Sequence, residues 1–142
     1  MPLYILDTDS VTFQQAGRET IVRRLQSVPA RSVYTTVITL YEQMRGRLAM
    51  INRAREGIAR VRAYEQLQAT VRYFSLVNVL PFTSTAVHQL ETLLTEKVHI
   101  GTQDLRIAAI VLSVNGILIT SNRRDFEKVP GLIIEDWNTS GQ

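Results

Sequence analysis

Cysteine is absent from this sequence, and histidine occurs only twice, as His88 and His99. The first absence excludes a disulfide scaffold and any thiolate metal site, and it fits a reducing compartment. Long apolar runs are also absent, since no stretch approaches the roughly 20 residues of a membrane span. The amino terminus lacks the basic flank and apolar core of a secretory signal. We therefore expect a cytoplasmic protein, with no membrane partner, in which a bound metal would have oxygen ligands.

A strong excess of either charge is missing as well. Sixteen Lys and Arg residues against thirteen Asp and Glu residues give a net charge of +3. This modest excess, carried mostly by arginine, permits an anionic partner without requiring one. At 142 residues the chain is long enough to bury a substantial core. No repeat, low-complexity tract or linker divides it, so we expect a single domain over residues 1–142.

The hydrophobic pattern alternates between short strand-like runs and helical segments. Strands are predicted in the runs LYIL, SVYTT, LVNVLPF, GILIT and LIIEDW, with helices between them. The segment from Val37 to Phe74 has few helix breakers and indicates one or two long helices. This alternation predicts an α/β domain with a mainly parallel sheet and right-handed crossovers. Functional sites of such sheets usually lie at the carboxyl ends of the strands.

Two aspartates follow the first predicted strand, in the run LDTDSV. Asp7 and Asp9 are open to three interpretations: a helix cap, a phosphate-transferring pair, or the start of a metal site. A strand-to-helix turn commonly carries Asp or Ser at its cap, and Asp9 or Ser10 suits that role. Asp7 lies closer to the strand, so it is the better candidate for a functional site.

Asp104 is an acidic residue at a position that the sequence pattern does not place in solvent. It opens the helix after Gly101 and begins the apolar stripe that continues through Ile107, Ala108 and Val111. The positive end of the helix dipole would stabilise an acid there by about 0.3 to 1 kcal/mol. That stabilisation would serve equally well on a solvated face, so the inward direction favours a functional role.

Glu42 shows the opposite pattern. Val37, Leu40, Tyr41, Met44 and Leu48 form the predicted apolar stripe of its helix. Glu42 lies on the far side of that stripe, where an exposed glutamate would pair with Arg45. By periodicity alone, this solvated interpretation is favoured.

The run TSNRRDF follows the fourth predicted strand and brings Asn122 and Asp125 to the same edge of the sheet. Both residue types are also common in loops, and Asp125 suits the cap of a turn.

Carboxylates gathered in one pocket repel by roughly 4 kcal/mol per pair at about 4 Å, unless a cation or proton offsets the charge. Oxygen ligands select Mg²⁺ or Mn²⁺, which chiefly serve phosphoryl chemistry.

One resemblance is to the haloacid-dehalogenase-type phosphatases. LDTDSV matches their first motif, with Asp7 as the nucleophile, and GILITS matches their second. Their later acidic pair is matched only by the run EDW near the end of the chain. This resemblance gives Asp104 no role.

A second resemblance covers almost the whole chain. The runs LDTDS, YEQMRG, QDLRIAAIVL and TSNRRDFEKVPGLIIEDW resemble the successive motifs of the PIN domain, and more narrowly of the VapC toxins of bacterial toxin–antitoxin pairs. Four motifs in the right order make a specific signal. The resemblance implies a PIN-like three-layer α/β/α sandwich around a central, mainly parallel sheet of about five strands.

The resemblance also implies a metal-dependent ribonuclease. It implies that Mg²⁺ or Mn²⁺ is held by Asp7, Glu42 and Asp104, with Asp125 as the carboxylate of the carboxyl-terminal loop. Residues that would support the site are Asp9, Thr120, Ser121 and Asn122. Residues that would contact RNA or an antitoxin are Arg45, Arg106, Arg123 and Arg124.

Partners follow from the same resemblance. It implies an RNA substrate, a VapB-like antitoxin whose segment lies along the active-site groove, and homodimerisation. A non-enzymatic alternative keeps the fold as a catalytically inactive module that binds RNA or protein. That alternative predicts binding without Mg²⁺ and no cleavage.

Overall fold

The fold is a three-layer α/β/α sandwich, seen in a computed structural model that describes residues 1–139. The strands are β1 (Tyr4–Leu6), β2 (Val33–Thr36), β3 (Asn78–Leu80), β4 (Ile117–Ile119) and β5 (Ile133–Glu135). The helices are α1 (Thr8–Gln15), α2 (Glu19–Gln26), α3 (Val37–Arg53), α4 (Gly57–Leu76), α5 (Ser84–Thr95), α6 (Thr102–Ser113) and α7 (Arg123–Phe126). In this part of the chain, no helix is long and apolar enough to cross a membrane.

The five strands form one sheet in the order β3-β2-β1-β4-β5, and every neighbouring pair is parallel. The predicted parallel α/β sheet is therefore confirmed. β1 lies at the centre, where Ile5 is in register with Tyr34 of β2 and with Leu118 of β4. The carboxyl ends of β1, β2 and β4 thus meet at the middle of one sheet edge.

Apolar side chains fill the space on both faces of the sheet, because successive strand residues point to opposite sides. Ile5 and Leu118 belong to a buried cluster with Ile107 of α6. Leu6 and Ile119, the next residues along the same strands, belong to a second cluster with α1, α2 and Trp137. The central strands are therefore buried on both faces, as the short apolar runs in the sequence predict.

The long helical segment is two helices, which break at residues 54–56 and pack against each other. The side chain of Thr36 accepts a hydrogen bond from the Thr39 amide and caps α3. Thr83 caps α5 in the same way, by accepting a hydrogen bond from the Ala86 amide. Gly17, whose φ of 73° suits glycine, follows the end of α1.

The apolar stripe predicted for α3 is wrong as a guide to its buried face. Ile38, Thr39 and Gln43 are the buried residues of α3, whereas Tyr41 and Leu48 of the stripe are 52% and 53% exposed. The reason is that α1 packs on the polar side of α3, where side-chain hydrogen bonds replace apolar contacts. Glu42 consequently lies beside the packed side of α3 and not on its solvated side.

Candidate metal centre

Asp7 follows β1 directly and is almost completely buried, with 4% of its surface exposed. It is the N-cap of α1, where its Oδ1 accepts a 2.8 Å hydrogen bond from the amide of Ser10. The prediction that Asp9 or Ser10 caps this helix is therefore wrong, because only Asp7 separates the end of β1 from the start of α1. Burial raises the pKa of Asp7, while hydrogen bonds from Thr120 and Ser10 oppose that rise.

The strand ends on either side of Asp7 are joined by further hydrogen bonds. The amide of Asp7 donates to the carbonyl of Ile119 at 3.1 Å, and the hydroxyl of Ser10 donates to the same carbonyl at 2.9 Å. These bonds continue the β1–β4 pairing beyond the strands. They fix the Asp7 side chain relative to the loop that follows β4.

Glu42 reaches this edge of the sheet from the second turn of α3. Its Oε1 accepts a 2.7 Å hydrogen bond from the hydroxyl of Thr8, which lies 3.0 Å from the hydroxyl of Thr39. A reciprocal pair of hydrogen bonds between the amides of Gln15 and Gln43 holds α1 against α3 nearby. Glu42 is thus positioned by α1, although the sequence pattern suggested an exposed residue paired with Arg45.

Asp104 is half-buried in the first turn of α6, and the stripe that follows it is buried as predicted, with Ile107, Ala108 and Val111 fully inaccessible. The pKa of Asp104 is raised to about 6, first by burial and then by the charges of Asp7, Glu42, Asp125 and Asp9. Carboxylates from four separate segments therefore act on one another here. Such mutual repulsion is relieved by a proton or a cation.

The loop after β4 supplies polar groups on the other side of Asp7. Thr120 is buried and accepts a 2.9 Å hydrogen bond from the amide of Asn122. The Asn122 side chain donates to Oδ2 of Asp125 at 3.1 Å, and Lys128 lies 3.8 Å from Oδ1 of Asp125. Ser121 is exposed and donates instead to Asp136 at 3.3 Å. Asp125 lies within α7, so it does not cap that turn.

The described residues enclose a cavity of about 210 Å³ at this edge of the sheet. Its lining residues are Asp7, Thr8, Asp9, Glu42, Asp104 and Asn122. The structure therefore brings together three of the four predicted metal ligands, with Asp125 adjoining through its bond to Asn122. Of the predicted supporting residues, Asp9 and Asn122 line the cavity, Thr120 contacts Asp7, and Ser121 does not.

The donor atoms in this cavity suit a hard divalent cation. Carboxylate, amide and hydroxyl oxygens are the ligands that Mg²⁺ and Mn²⁺ prefer, and no sulfur competes with them. Within residues 1–139, no three acidic or histidine side chains already have the spacing of a complete metal site. The fit to a cation therefore rests on the donor set and its charge.

The four predicted contact arginines differ in their surroundings. Arg106 donates to Gln103 on its own helix at 3.2 Å, and Arg123 pairs with Glu127 at 3.6 Å. Arg124 is exposed. Arg45 lines a separate, mainly apolar cavity of about 380 Å³ along α3, together with Tyr41, Met44 and Leu48 among others.

Thr8 is the residue at the site that sequence reasoning missed. It stands between the two aspartates of LDTDSV, and its hydroxyl joins α1 to Glu42 of α3. Its position at the carboxyl end of a buried strand was the available signal. Its partner lies 34 residues away along the chain, so no local pattern indicates the contact.

Comparisons with known proteins agree with this geometry. The family model described as "PIN domain" matches residues 4–132. The chain is 30% identical to Ribonuclease VapC1 of Haemophilus influenzae (strain R2866), over 95% of this chain and 98% of that protein. It is 28% identical to the tRNA(fMet)-specific endonuclease VapC of Salmonella typhimurium, over 94% of this chain and 97% of that protein.

A solved structure shows the same similarity in three dimensions. The crystal structure of DNA-bound VapBC from Salmonella typhimurium contains a chain that superposes with a TM-score of 0.77 at 25% identity. The similarity covers 96% of this chain and 99% of that one. The arrangement of helices around the parallel sheet is thus shared over nearly the whole length.

Proposed function

The chain belongs to the PIN-domain family and, within it, to the VapC ribonucleases, and from that premise we propose that it is a metal-dependent endoribonuclease acting as the toxin of a VapBC-type pair. The observation that carries the proposal is the convergence of carboxylates on one pocket. Asp7, Glu42 and Asp104 line it from three different chain segments. Burial, together with the charges of Asp7 and Glu42, raises the pKa of Asp104. Because the chain belongs to the PIN-domain family, we no longer favour the haloacid-dehalogenase-type phosphatase, in which Asp7 would be the nucleophile.

The carboxylates of Asp7, Glu42 and Asp104 would hold Mg²⁺ or Mn²⁺, with Asp125 contributing from the edge of the pocket. Thr8 engages Oε1 of Glu42, so Oε2 is the atom with which Glu42 would meet an ion or a water molecule. A bound divalent ion would lower the pKa of a water molecule and offset negative charge at the cleaved phosphodiester. No nucleophilic side chain is required for this hydrolysis.

The protein's own groups would position the reactants and receive a proton. Glu42 and Asp104 are the carboxylates that would accept the proton of the attacking water. Thr120 and Ser10 hold Asp7 in place through hydrogen bonds. Asp9 and Asn122 line the rim of the cavity, where they would orient the ion's water ligands or the scissile phosphate.

The partners proposed are an RNA substrate, a VapB-like antitoxin and a second copy of this chain, all in the cytoplasm. The antitoxin is proposed because chains with this fold occur in solved VapBC structures. The stripe of Tyr41, Met44 and Leu48 lies along the same helix as Glu42. Tyr41 and Leu48 are exposed and Met44 is partly buried, so the stripe offers apolar surface that another protein could cover. Arg45, Arg106, Arg123 and Arg124 would contact the RNA backbone or the antitoxin. One domain over residues 1–142 would contain the whole activity.

Incubation of purified protein with total RNA, in Mg²⁺, in Mn²⁺ and in EDTA, tests the proposal. We expect cleavage that requires the divalent ion and that the Asp7→Asn and Asp104→Asn variants lose. Asp136→Asn, an exchange of the same kind outside the pocket, is the matched control and should remain active. RNA binding without cleavage by the unaltered protein would instead support an inactive binding module.

A further inference from the structure

A second cavity, of about 550 Å³, lies at the tip of the α3–α4 hairpin and has no part in the carboxylate pocket. Its lining residues are Ile51, Asn52, Ala54, Arg55, Arg60 and Tyr64. Asn52 follows Glu42 by ten residues on the same helix, which separates the two levels by roughly 15 Å at about 1.5 Å per residue. That distance corresponds to roughly four stacked nucleotides at about 3.4 Å each.

The tip of the hairpin has a higher net positive charge than the protein as a whole. Residues 45–64 contain six arginines and one glutamate, a net charge of +5, whereas the whole chain has +3. Among the ion pairs of residues 1–139, none involves any of these six arginines. This surface should therefore attract a polyanion, because no ion pair among the described residues neutralises its arginines.

The chemistry of the cavity matches the two parts of a nucleotide. Arg55 and Arg60 are exposed, and Arg60 uses only its Nε in a 3.4 Å hydrogen bond to the carbonyl of Ala54. Its terminal amino groups can therefore bind the oxygens of a phosphate. Tyr64 follows Arg60 by one helical turn, and its ring is in a residue that is 59% exposed. Exposed aromatic rings beside guanidinium groups stack unpaired bases.

A protein segment fits this cavity less well than it fits the neighbouring one. The cavity beside Tyr41, Met44 and Leu48 offers mainly apolar surface, which suits the anchor side chains of a peptide. The tip cavity offers two guanidinium groups, an asparagine and one aromatic ring instead. This difference favours RNA at the tip.

We propose that the Arg55–Arg60–Tyr64 cavity is a nucleotide-binding exosite, which holds single-stranded RNA a few nucleotides away from the cleavage pocket. The proposal rests on the ribonuclease function proposed above and adds a property to it. The enzyme binds a substrate longer than the nucleotides at the cleaved bond, and it gains affinity for long RNA from contacts that take no part in the chemistry. The exosite should therefore affect KM and leave kcat unchanged.

The experiment compares an RNA of about four nucleotides with an RNA of about 20 nucleotides that contains the same cleaved sequence. The Arg55→Gln/Arg60→Gln variant should raise KM for the long RNA about tenfold and leave the kinetics of the short RNA unchanged. Its salt dependence of binding should fall by about 0.7 per lost phosphate contact. Tyr64→Leu should raise KM for the long RNA, and Tyr64→Phe should restore it. Arg31→Gln/Arg72→Gln, which removes two exposed arginines elsewhere, should behave like the unaltered protein.

Three results would overturn the exosite. The first is an equal effect of the arginine variant on short and long RNA, and the second is an equal effect of the control pair. The third is a loss of antitoxin affinity with unchanged KM for long RNA, which would assign the cavity to the antitoxin. If the unaltered protein cleaves no RNA, the proposed function fails. The exosite is then tested by fluorescence anisotropy with a labelled single-stranded RNA of about 20 nucleotides. Equal binding by the arginine variant and the unaltered protein would contradict the exosite.

Discussion

The hydroxyl of Thr8 donates a 2.7 Å hydrogen bond to Oε1 of Glu42, across an interface between two helices that are distant in sequence. Thr8 also lies 3.0 Å from Thr39, so its hydroxyl is held between two groups on α3. One oxygen of Glu42 is thereby fixed, and the orientation of the other is set. Thr8 is in this sense a positioning residue for a carboxylate of the proposed metal centre.

Replacing Thr8 by valine should weaken activity at limiting metal. A hydrogen bond to a charged group contributes about 1.5 to 3 kcal/mol, so we expect at least a tenfold higher Mg²⁺ concentration for half-maximal cleavage. Thr8→Ser keeps the hydroxyl and should restore the metal requirement of the unaltered protein. Cleavage rates across a Mg²⁺ titration provide the measurement. Equal metal requirements for the valine and serine variants would show that the hydrogen bond does not position Glu42.

Asp104 should make stability depend on pH in the acid range. Its pKa is about 6 in the folded protein and 3.8 in the unfolded chain, so the folded state binds more protons between these values. The free energy of unfolding therefore falls as pH rises from about 4 to 6. Asp104→Asn removes this effect. In EDTA at pH 7 it should stabilise the protein by about 1 to 2 kcal/mol, because solvent screening of this half-buried group reduces the full effect of about 3 kcal/mol. Urea denaturation at several pH values measures the difference.

The difference between Asp104→Asn and the unaltered protein should nearly disappear below about pH 3, where Asp104 is mostly protonated in both folded and unfolded states. Asp136→Asn serves as a control, since Asp136 is outside the carboxylate pocket and accepts hydrogen bonds from Ser121 and Asn138. A stability gain that stays constant across the pH range would rule out electrostatic relief at Asp104.

Divalent cations should raise the thermal stability of the protein. A ligand at about 100 times its Kd stabilises the folded state by about 2.7 kcal/mol, which corresponds to a rise in Tm of several degrees. Asp7→Asn should lose most of this rise, although asparagine remains a good N-cap for α1. Differential scanning calorimetry with Mg²⁺, Mn²⁺ and EDTA provides the readout. An unchanged rise in Asp7→Asn would place the bound ion elsewhere.

The sequence predicted the sheet and the inward direction of Asp104 because both depend on local periodicity. Asp104 begins a stripe whose residues Ile107, Ala108 and Val111 are fully buried. Burial of that stripe requires only that the helix pack against the sheet. Local pattern and tertiary structure agree in this segment.

The position of Glu42 could not be predicted from local periodicity, because α3 does not bury its most apolar face. Its packed side contains Thr39 and Gln43, which form hydrogen bonds to α1. The hydroxyl of Thr39 bonds to that of Thr8, and the side-chain amide of Gln43 donates to Thr12 and Gln15. A hydrogen-bonded helix interface leaves no hydrophobic period in the sequence. Only the PIN resemblance indicated a role for Glu42, and the structure adds Thr8 as its partner.

Asp125 should contribute less to metal binding than Asp7 or Asp104. It lies beside the cavity, where it accepts a hydrogen bond from Asn122 and faces Lys128. We expect Asp125→Asn to lower Mg²⁺ affinity several-fold while leaving measurable cleavage, whereas Asp104→Asn abolishes cleavage. Isothermal titration with Mg²⁺, paired with cleavage rates, separates the two cases. Complete loss of cleavage in a folded Asp125→Asn variant would make Asp125 a full ligand.

The exposed apolar stripe of α3 should be required for inhibition by the antitoxin and dispensable for cleavage. Leu48 is 53% exposed and lines the cavity that also contains Tyr41 and Met44. Leu48→Gln removes apolar surface without disturbing the core, so it should fold normally and cleave RNA at the usual rate. Affinity for the proposed VapB-like antitoxin should fall at least tenfold, which corresponds to about 1.4 kcal/mol. Leu76→Gln is the matched control, since Leu76 is 80% exposed and lies outside the stripe. If Leu48→Gln and Leu76→Gln bind the antitoxin equally well, the stripe is not its docking surface.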